Sequence, residues 1–236
     1  GEQSSTILVG PIKLPVNLEG ETVVFQWYCW LPVRDEEDRQ NLLNANAETI
    51  VKRLSTLNLA EGQQSSVLVY GDLQQSENAL VRMHSICHTG DIFGSKRCDC
   101  GFQLHQSMKM IVEHGTGALF YLANHEGRGI GLFSKAMAYI LQEEGMDTVE
   151  ANHQLGFEDD TRNYADAISV LQHLRQKPVT LITNNPKKLD ALKKSGMNVA
   201  GRMPLWGDVS QYNERYLNTK VERSGHLRDS DLREVL

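Results

Sequence analysis

The sequence has no apolar run approaching the roughly 20 residues that a membrane-spanning helix needs. Its first ten residues, GEQSSTILVG, lack the basic and hydrophobic regions of a signal peptide. These absences set the expectation of a cytoplasmic protein with no membrane partner. Positive charge is also scarce, since 24 Lys and Arg stand against 30 Asp and Glu, for a net charge of -6. The broad electropositive field of a general nucleic-acid binder is therefore missing, as is a basic stripe interleaved with aromatics, and no nucleic-acid partner is expected. Any anion has to be bound at a local site. Only six prolines, no low-complexity tract and no internal repeat interrupt the 236 residues, which argues against long linkers and solenoids. With 40% hydrophobic and 23% charged residues, the chain has the composition of one or two compact folded domains.

Cysteine is sparse as well, yet three of the four, Cys87, Cys98 and Cys100, fall within fourteen residues. A disulfide framework does not suit a cytosolic chain of this size, and Cys98 and Cys100 are too constrained to bridge each other easily. Three thiolates at this spacing suit Zn²⁺, and three protein ligands leave one tetrahedral position open for water, as in catalytic rather than structural zinc sites. Two alternatives stay open on spacing alone. The cysteines could be small buried hydrophobes, the reading given to Cys29. His84 or His88 could instead supply a fourth ligand and close the shell.

The pattern along the chain changes near residue 78. From Ile7 to Leu31 it reads as short strands, with VVFQWYCWL suited to a pleated surface. Leu42, Leu43, Ile50, Val51 and Leu54 then recur at helical spacing, predicting an amphipathic helix over about 36–60. SSVLVYGD, Ser65 to Asp72, alternates and ends in a turn signal. Beyond Leu80, helical windows at 101–114, 132–145, 164–176 and 187–195 flank short apolar strands at 117–122 and 179–183. The expected fold is α+β (mixed α/β). Residues 1–78 form a β-rich segment with an inserted helix, and residues 79–236 a mixed strand and helix catalytic region, together one compact unit.

Several polar segments punctuate the second region. EGRGIGL, Glu126 to Leu132, follows an apolar strand and precedes a helix, so its backbone amides could face an anion, although glycine-rich turns are common. DDTRNY holds Asp160 and Arg162 ahead of a helix, where an N-cap and a surface ion pair would explain both. TNNPKK, Thr183 to Lys188, opens a helix with Pro186 near its first turn. Lys187, Lys188, Lys193, Lys194 and Arg202 stand there against Asp190 alone. Tyr139, in KAMAYILQEEG, would by default be a core or interface aromatic.

Taken in order, HSICHTGDIFGSKRCDCGFQL, EGRGIGL, DTVEANHQLGF, DDTRNY and TNNPKK form a series that resembles GTP cyclohydrolase II, the first enzyme of riboflavin synthesis. The resemblance runs from about Arg82 to Leu227, with shorter KLP and VLVYGD matches nearer the N-terminus. It implies that Cys87, Cys98 and Cys100 hold one catalytic Zn²⁺ per chain. The implied reaction opens the guanine imidazole ring of GTP at C8 and releases formate and pyrophosphate. It further implies Asp160 as proton acceptor, Arg162 as the nucleophile at the α-phosphorus, and Tyr139 in the ring-opening half. Arg82, Gln103, Glu126, Gly127, Arg128, Thr148, Thr183 and Lys188 carry over as substrate contacts, with Mg²⁺ on the triphosphate and a homodimeric assembly. A guanidinium with a pKa above about 12 suits charge stabilisation better than attack, so both roles stay open for Arg162.

Three departures stand out. Ile86 occupies the place of the family's Glu before the first cysteine, and Asn124-His125 stands where the family has Arg-Gln. The 36–60 helix is an insertion that could cover the site or build a dimer surface. A paralogue that keeps the formyl group or takes another purine nucleotide, and a non-catalytic guanine-nucleotide sensor, are the competing readings.

Overall fold

Branched and aromatic residues dominate two runs either side of Glu19-Gly20, and the chain folds there into one long hairpin. The computed structural model describes residues 5–33, 40, 45–54, 56, 59–158, 160, 162–205, 207, 209–223 and 225–227. Strand β1 (Ser5–Leu18) pairs antiparallel with β2 (Glu21–Val33). Glu19 and Gly20 both take positive φ in the two-residue turn between them, and Gly20 N–H donates to Asn17 Oδ1 at 2.8 Å. The strands are thus 14 and 13 residues long rather than short. A register shift between Val9 and Ile12 lets the ribbon bend without ending.

Strands β3 (Ser65–Tyr70), β4 (Leu80–Ser85), β5 (Gly117–Leu122), β6 (Val179–Ile182) and β7 (Val199–Met203) complete one sheet. Its order is β1-β2-β3-β5-β4-β6-β7. Pairings are antiparallel as far as β5 and parallel from β5 through β4 and β6 to β7. The class is α+β with a mixed sheet.

The helix expected over 36–60 is observed as α1 (Ala47–Leu54), followed by a 3₁₀ turn at Leu59–Glu61. Residues 36–39, 41–44, 55, 57 and 58 of that stretch lie outside the described residues, Leu42 and Leu43 among them. Asn46 Oδ1 accepts the amide of Thr49 at 2.9 Å and starts the helix there. None of the α1 residues is buried, and Val51 is exposed, so the helix adds nothing to the core.

After β4 come the helical turn α2 (His88–Asp91) and helix α3 (Cys100–His114). Next are α4 (Leu132–Glu143), α5 (Thr148–Gln154), α6 (Ala165–Leu174), α7 (Pro186–Lys194) and α8 (Glu214–Glu222). The two-residue period of β4 and β5 divides the core between the sheet's faces. Leu80 and Leu119 pack with Met108 and Ile111 of α3 and with Phe25. Val81, Met83, Ala118 and Phe120 pack with Ile168 and Leu171 of α6 and Leu192 of α7. Among the described residues no helix is long and apolar enough to cross a membrane.

Candidate active site

Parallel strands deliver the site. The carboxyl ends of β4, β5 and β6 lead into Ser85–Cys87, the turn Ala123–Gly129 and Thr183, which all line one cleft of about 860 Å³. This is the edge at which open α/β sheets present ligand sites, because the following helices start there and leave a crevice between them.

Cys87 precedes α2, and Cys98 and Cys100 lie at the start of α3. Their three Sγ atoms lie within 4.8 Å of one another, with Cys87 and Cys98 3.5 Å apart. A disulfide would bring two sulfurs to about 2.05 Å, whereas tetrahedral Zn–S bonds of about 2.3 Å set them roughly 3.8 Å apart. The trio has metal-ligand spacing. Gly90 forms its floor, since a Cβ there would lie 2.8 Å from Cys98 Sγ and 3.2 Å from Cys87 Sγ. Neither candidate histidine joins the sulfurs. His84 stacks on Tyr121 and turns Nε2 to Asp91 at 3.2 Å, and the His88 ring meets Phe93 edge-on. Three soft donors at this spacing fit Zn²⁺. Hydrogen bonds from Cys100 and Cys98, aided by Lys135, hold the Cys87 thiol far below its ordinary pKa despite burial, while their bonds to Cys87 and burial push Cys98 and Cys100 up. Cys29 lies apart, half-buried, with its thiol on Ser65 O at 3.4 Å.

Lys135 of α4 bridges the trio to the Ala123–Gly129 turn. Its Nζ lies 3.1 Å from Cys87 Sγ and 2.7 Å from Glu126 Oε1, while Glu126 Oε2 accepts the amide of His88 at 2.7 Å. Glu126 therefore spends both oxygens on the protein. Gly127 and Arg128 take positive φ beside it, and a Cβ on Gly127 would press on Ile130 at 2.9 Å. Tyr139 is one turn further along α4, its OH 3.5 Å from Thr89 Oγ1 and its ring under the Arg97 guanidinium at 4.0 Å. Burial pushes its phenol pKa up.

At the other end of the cleft, cations gather. Arg82 Nη2 donates to Gln103 Oε1 at 2.6 Å and Nη1 to Ile182 O at 3.1 Å, while its buried Nε has no partner among the described residues. Arg162 Nε donates to Asp160 Oδ1 at 2.7 Å, Nη2 pairs with Oδ2, and Nη1 reaches Ser85 Oγ at 3.3 Å. Burial alone would lower the guanidinium's pKa; its bonds to Asp160 outweigh that and hold it above the ordinary arginine value. The same pairing outweighs burial at Asp160 and keeps it a carboxylate. Lys188 is half-buried with Nζ on Met83 O at 2.7 Å, and desolvation together with Arg82 and Arg162 lowers its pKa.

Of the remaining expected contacts, Thr183 is buried and accepts the Asn185 amide at 3.1 Å, and Thr148 lines the cleft as the first residue of α5. At the α7 N-terminus one of the amides expected to face an anion is already taken. Asn185 caps it, its Oδ1 taking the Lys188 amide at 3.2 Å. The anticipated residues therefore line a single cleft, thiolates and Tyr139 towards α4, cations towards α7.

Sequence reasoning missed Lys135, Ser85, His125 and Lys220. His125 Nε2 lies 2.8 Å from Asn163 O, which can only accept, so Nδ1 is the acceptor facing Ser85 Oγ at 3.1 Å. Ser85 lies inside the quoted HSIC motif and could have been noticed; Lys135 and Lys220 sit in helices with ordinary surface composition.

The sequence profile of the GTP cyclohydrolase II family matches residues 53–204. The GTP cyclohydrolase-2 of Colwellia psychrerythraea is 51% identical over 166 residues, 70% of this chain and 82% of that protein. The riboflavin biosynthesis protein RibBA of Bacillus velezensis is 48% identical over 171 residues, 72% of this chain and 43% of its own. The monofunctional riboflavin biosynthesis protein RIBA 3, chloroplastic, of Arabidopsis thaliana is 46% identical over 171 residues, 72% of this chain and 34% of its own. The chain thus spans most of the first and less than half of the other two.

Proposed function

The chain belongs to the GTP cyclohydrolase II family, and from that premise we propose that it is a zinc-dependent GTP cyclohydrolase of riboflavin biosynthesis. It opens the guanine imidazole ring of GTP, releases formate and pyrophosphate, and leaves a diaminopyrimidine ribosylamino 5′-phosphate. The observation that carries this reading is the single cleft with a thiolate trio at one end and a cation cluster at the other. Cys87, Cys98 and Cys100 would hold the zinc, which would supply Lewis-acid chemistry that acidifies water.

The chain's own residues divide the rest of the work. Tyr139 stays protonated because burial raises its pKa, so it donates a hydrogen bond to oxygen developing at C8. Arg82, Lys188 and Arg162 hold the triphosphate, accompanied by Mg²⁺, with Gln103 and Thr183 beside them. Arg162, kept a cation by Asp160, stabilises charge on the α-phosphoryl group rather than attacking it, and Asp160 takes up the proton of the attacking water. Thr148, Gly127 and Arg128 complete the nucleotide contacts. Glu126 acts on guanine only if it yields one of its bonds to Lys135 or His88.

The assembly we propose is a homodimer. Phe133, Met137 and Ile140 form an exposed apolar stripe on α4, a better candidate interface than α1.

The experiment is incubation of zinc-loaded protein with GTP and Mg²⁺, with formate, pyrophosphate and nucleotide followed together by mass spectrometry. One formate and one pyrophosphate per GTP support the full reaction. A second reading is favoured by Ile86, a buried alkyl side chain next to Cys87 in place of a carboxylate. It predicts a ring-opened product that retains its formyl group. GTP bound without turnover would contradict both.

A further inference from the structure

The family profile ends at residue 204, yet Leu205, Tyr216, Lys220, Arg223 and His226 line the cleft. They belong to a strap that leaves the sheet after β7 and crosses the site. Both ends are fastened to one residue. Asn184 Nδ2 donates to Leu205 O at 2.5 Å and Asn184 Oδ1 accepts Leu205 N at 2.7 Å, while Asn184 O accepts Leu227 N at 3.1 Å. Between these anchors α8 turns Lys220 inward. Its Nζ lies 2.9 Å from Asp99 Oδ1 and 4.4 Å from the Tyr216 ring centre, and the Asp99 side chain is 1% exposed.

Asp99 separates two of the three sulfur ligands. Its other oxygen accepts Gln103 Nε2 at 2.6 Å, and Gln103 in turn holds Arg82. The strap backbone rests directly on this carboxylate, for a Cβ on Gly207 would lie 2.1 Å from Asp99 Oδ2. A carboxylate buried between two cysteines of the trio calls for a cation against it, because unpaired charge is strongly disfavoured away from water. Lys220 is that cation. Without it Asp99 would have to turn away, and Cys98 and Cys100, its chain neighbours, would move with it.

We propose that Lys220 is a positioning residue of the metal loop, so that binding of metal by the thiolate trio and docking of the 205–227 strap stabilise each other. The inference rests on the trio being a metal site, as in the functional reading above. Coupling of this kind is reciprocal: whatever the strap adds to metal affinity, the metal adds to strap order. Outer-shell partners of metal ligands commonly contribute about 10- to 100-fold in affinity, which sets the expected scale.

Hydrogen exchange of the unaltered protein, stripped of metal and then reloaded with zinc, tests the first half. Zinc should slow exchange in α8 by about tenfold or more and leave β4 and β6 unchanged. Chelator competition tests the second half. Lys220→Met and Gly207→Ala should each weaken zinc binding by about tenfold or more, and Lys220→Arg should restore most of the loss. Exchange in α8 that is indifferent to zinc, or both variants holding zinc within about twofold of the parent, would overturn the proposal. Neither readout involves GTP. Loss of GTP turnover with the linkage intact would refute the functional reading alone, and turnover without the linkage would refute this inference alone.

Discussion

The two halves of the sheet use the same backbone bonding to opposite ends. In the antiparallel half, β1 and β2 leave parts of both faces to solvent: Val9 and Ile12, on the face of Phe25, and Val24, on the face of Trp30, are each more than 40% exposed. In the parallel half, β4 is covered on both faces, and the polar residues it carries, Arg82 and His84, are buried. The difference follows from connectivity. A hairpin returns at once and opens no crevice, whereas crossovers place helices on both faces and gather loops at one end of the strands. Strand β5, antiparallel to β3 and parallel to β4, is the seam, and the cleft lies on its parallel side.

If that division is right, substitutions at the carboxyl ends of the parallel strands should be far more costly to activity than changes in the hairpin. The largest effect is expected at the thiolates. Cys98→Ser should abolish stoichiometric zinc, read by elemental analysis, and lower formate release by about a thousandfold or more. Arg162→Ala should lower pyrophosphate release by about 100- to 1,000-fold with zinc content unchanged. Tyr139→Phe should cut formate release by roughly 100-fold and pyrophosphate release less, and equal loss of both would remove the assigned division of labour.

A pH effect follows from His125. Burial pulls its pKa down to about 4 from 6.5, so the unfolded chain takes up this proton first as pH falls. The stability contributed by the neutral imidazole is intact above pH 6.5 and is lost between 6.5 and 4, by up to about 3 kcal/mol. His125→Gln, which removes the titrating ring, should flatten that part of the urea-unfolding profile. The smallest effect is expected at an exposed position of the hairpin. Val24→Thr should leave turnover unchanged and shift stability by about 0.5 kcal/mol or less.

Much of the parallel half was legible in the residues. The helices at 101–114, 132–145, 164–176 and 187–195 and the strands at 117–122 and 179–183 emerge within a residue or two because their apolar periods are regular. Strand β4 was missed because Arg82 and His84 interrupt its apolar character, and their burial depends on partners distant in sequence, Gln103 and Asp91. Helix α5 was missed although Asp147 and Glu150 form a complete capping box at its start, a signal present in the DTVE of the sequence. The thiolate trio could be proposed from spacing. The Lys135–Glu126 pair and the Lys220–Asp99 pair could not, since each joins residues whose proximity only the fold creates.

The central claim is that one cleft, at the carboxyl ends of β4, β5 and β6, serves both ring opening and pyrophosphate release. A crystal structure of the zinc-loaded protein with a non-hydrolysable GTP analogue and Mg²⁺ tests it most directly. The account predicts one nucleotide spanning the cleft, with guanine C8 facing the thiolate trio and Tyr139 and the α-phosphate against Arg162. A nucleotide bound elsewhere, or one whose α-phosphate lies at the thiolates and whose base lies among Arg82, Arg162 and Lys188, would contradict it.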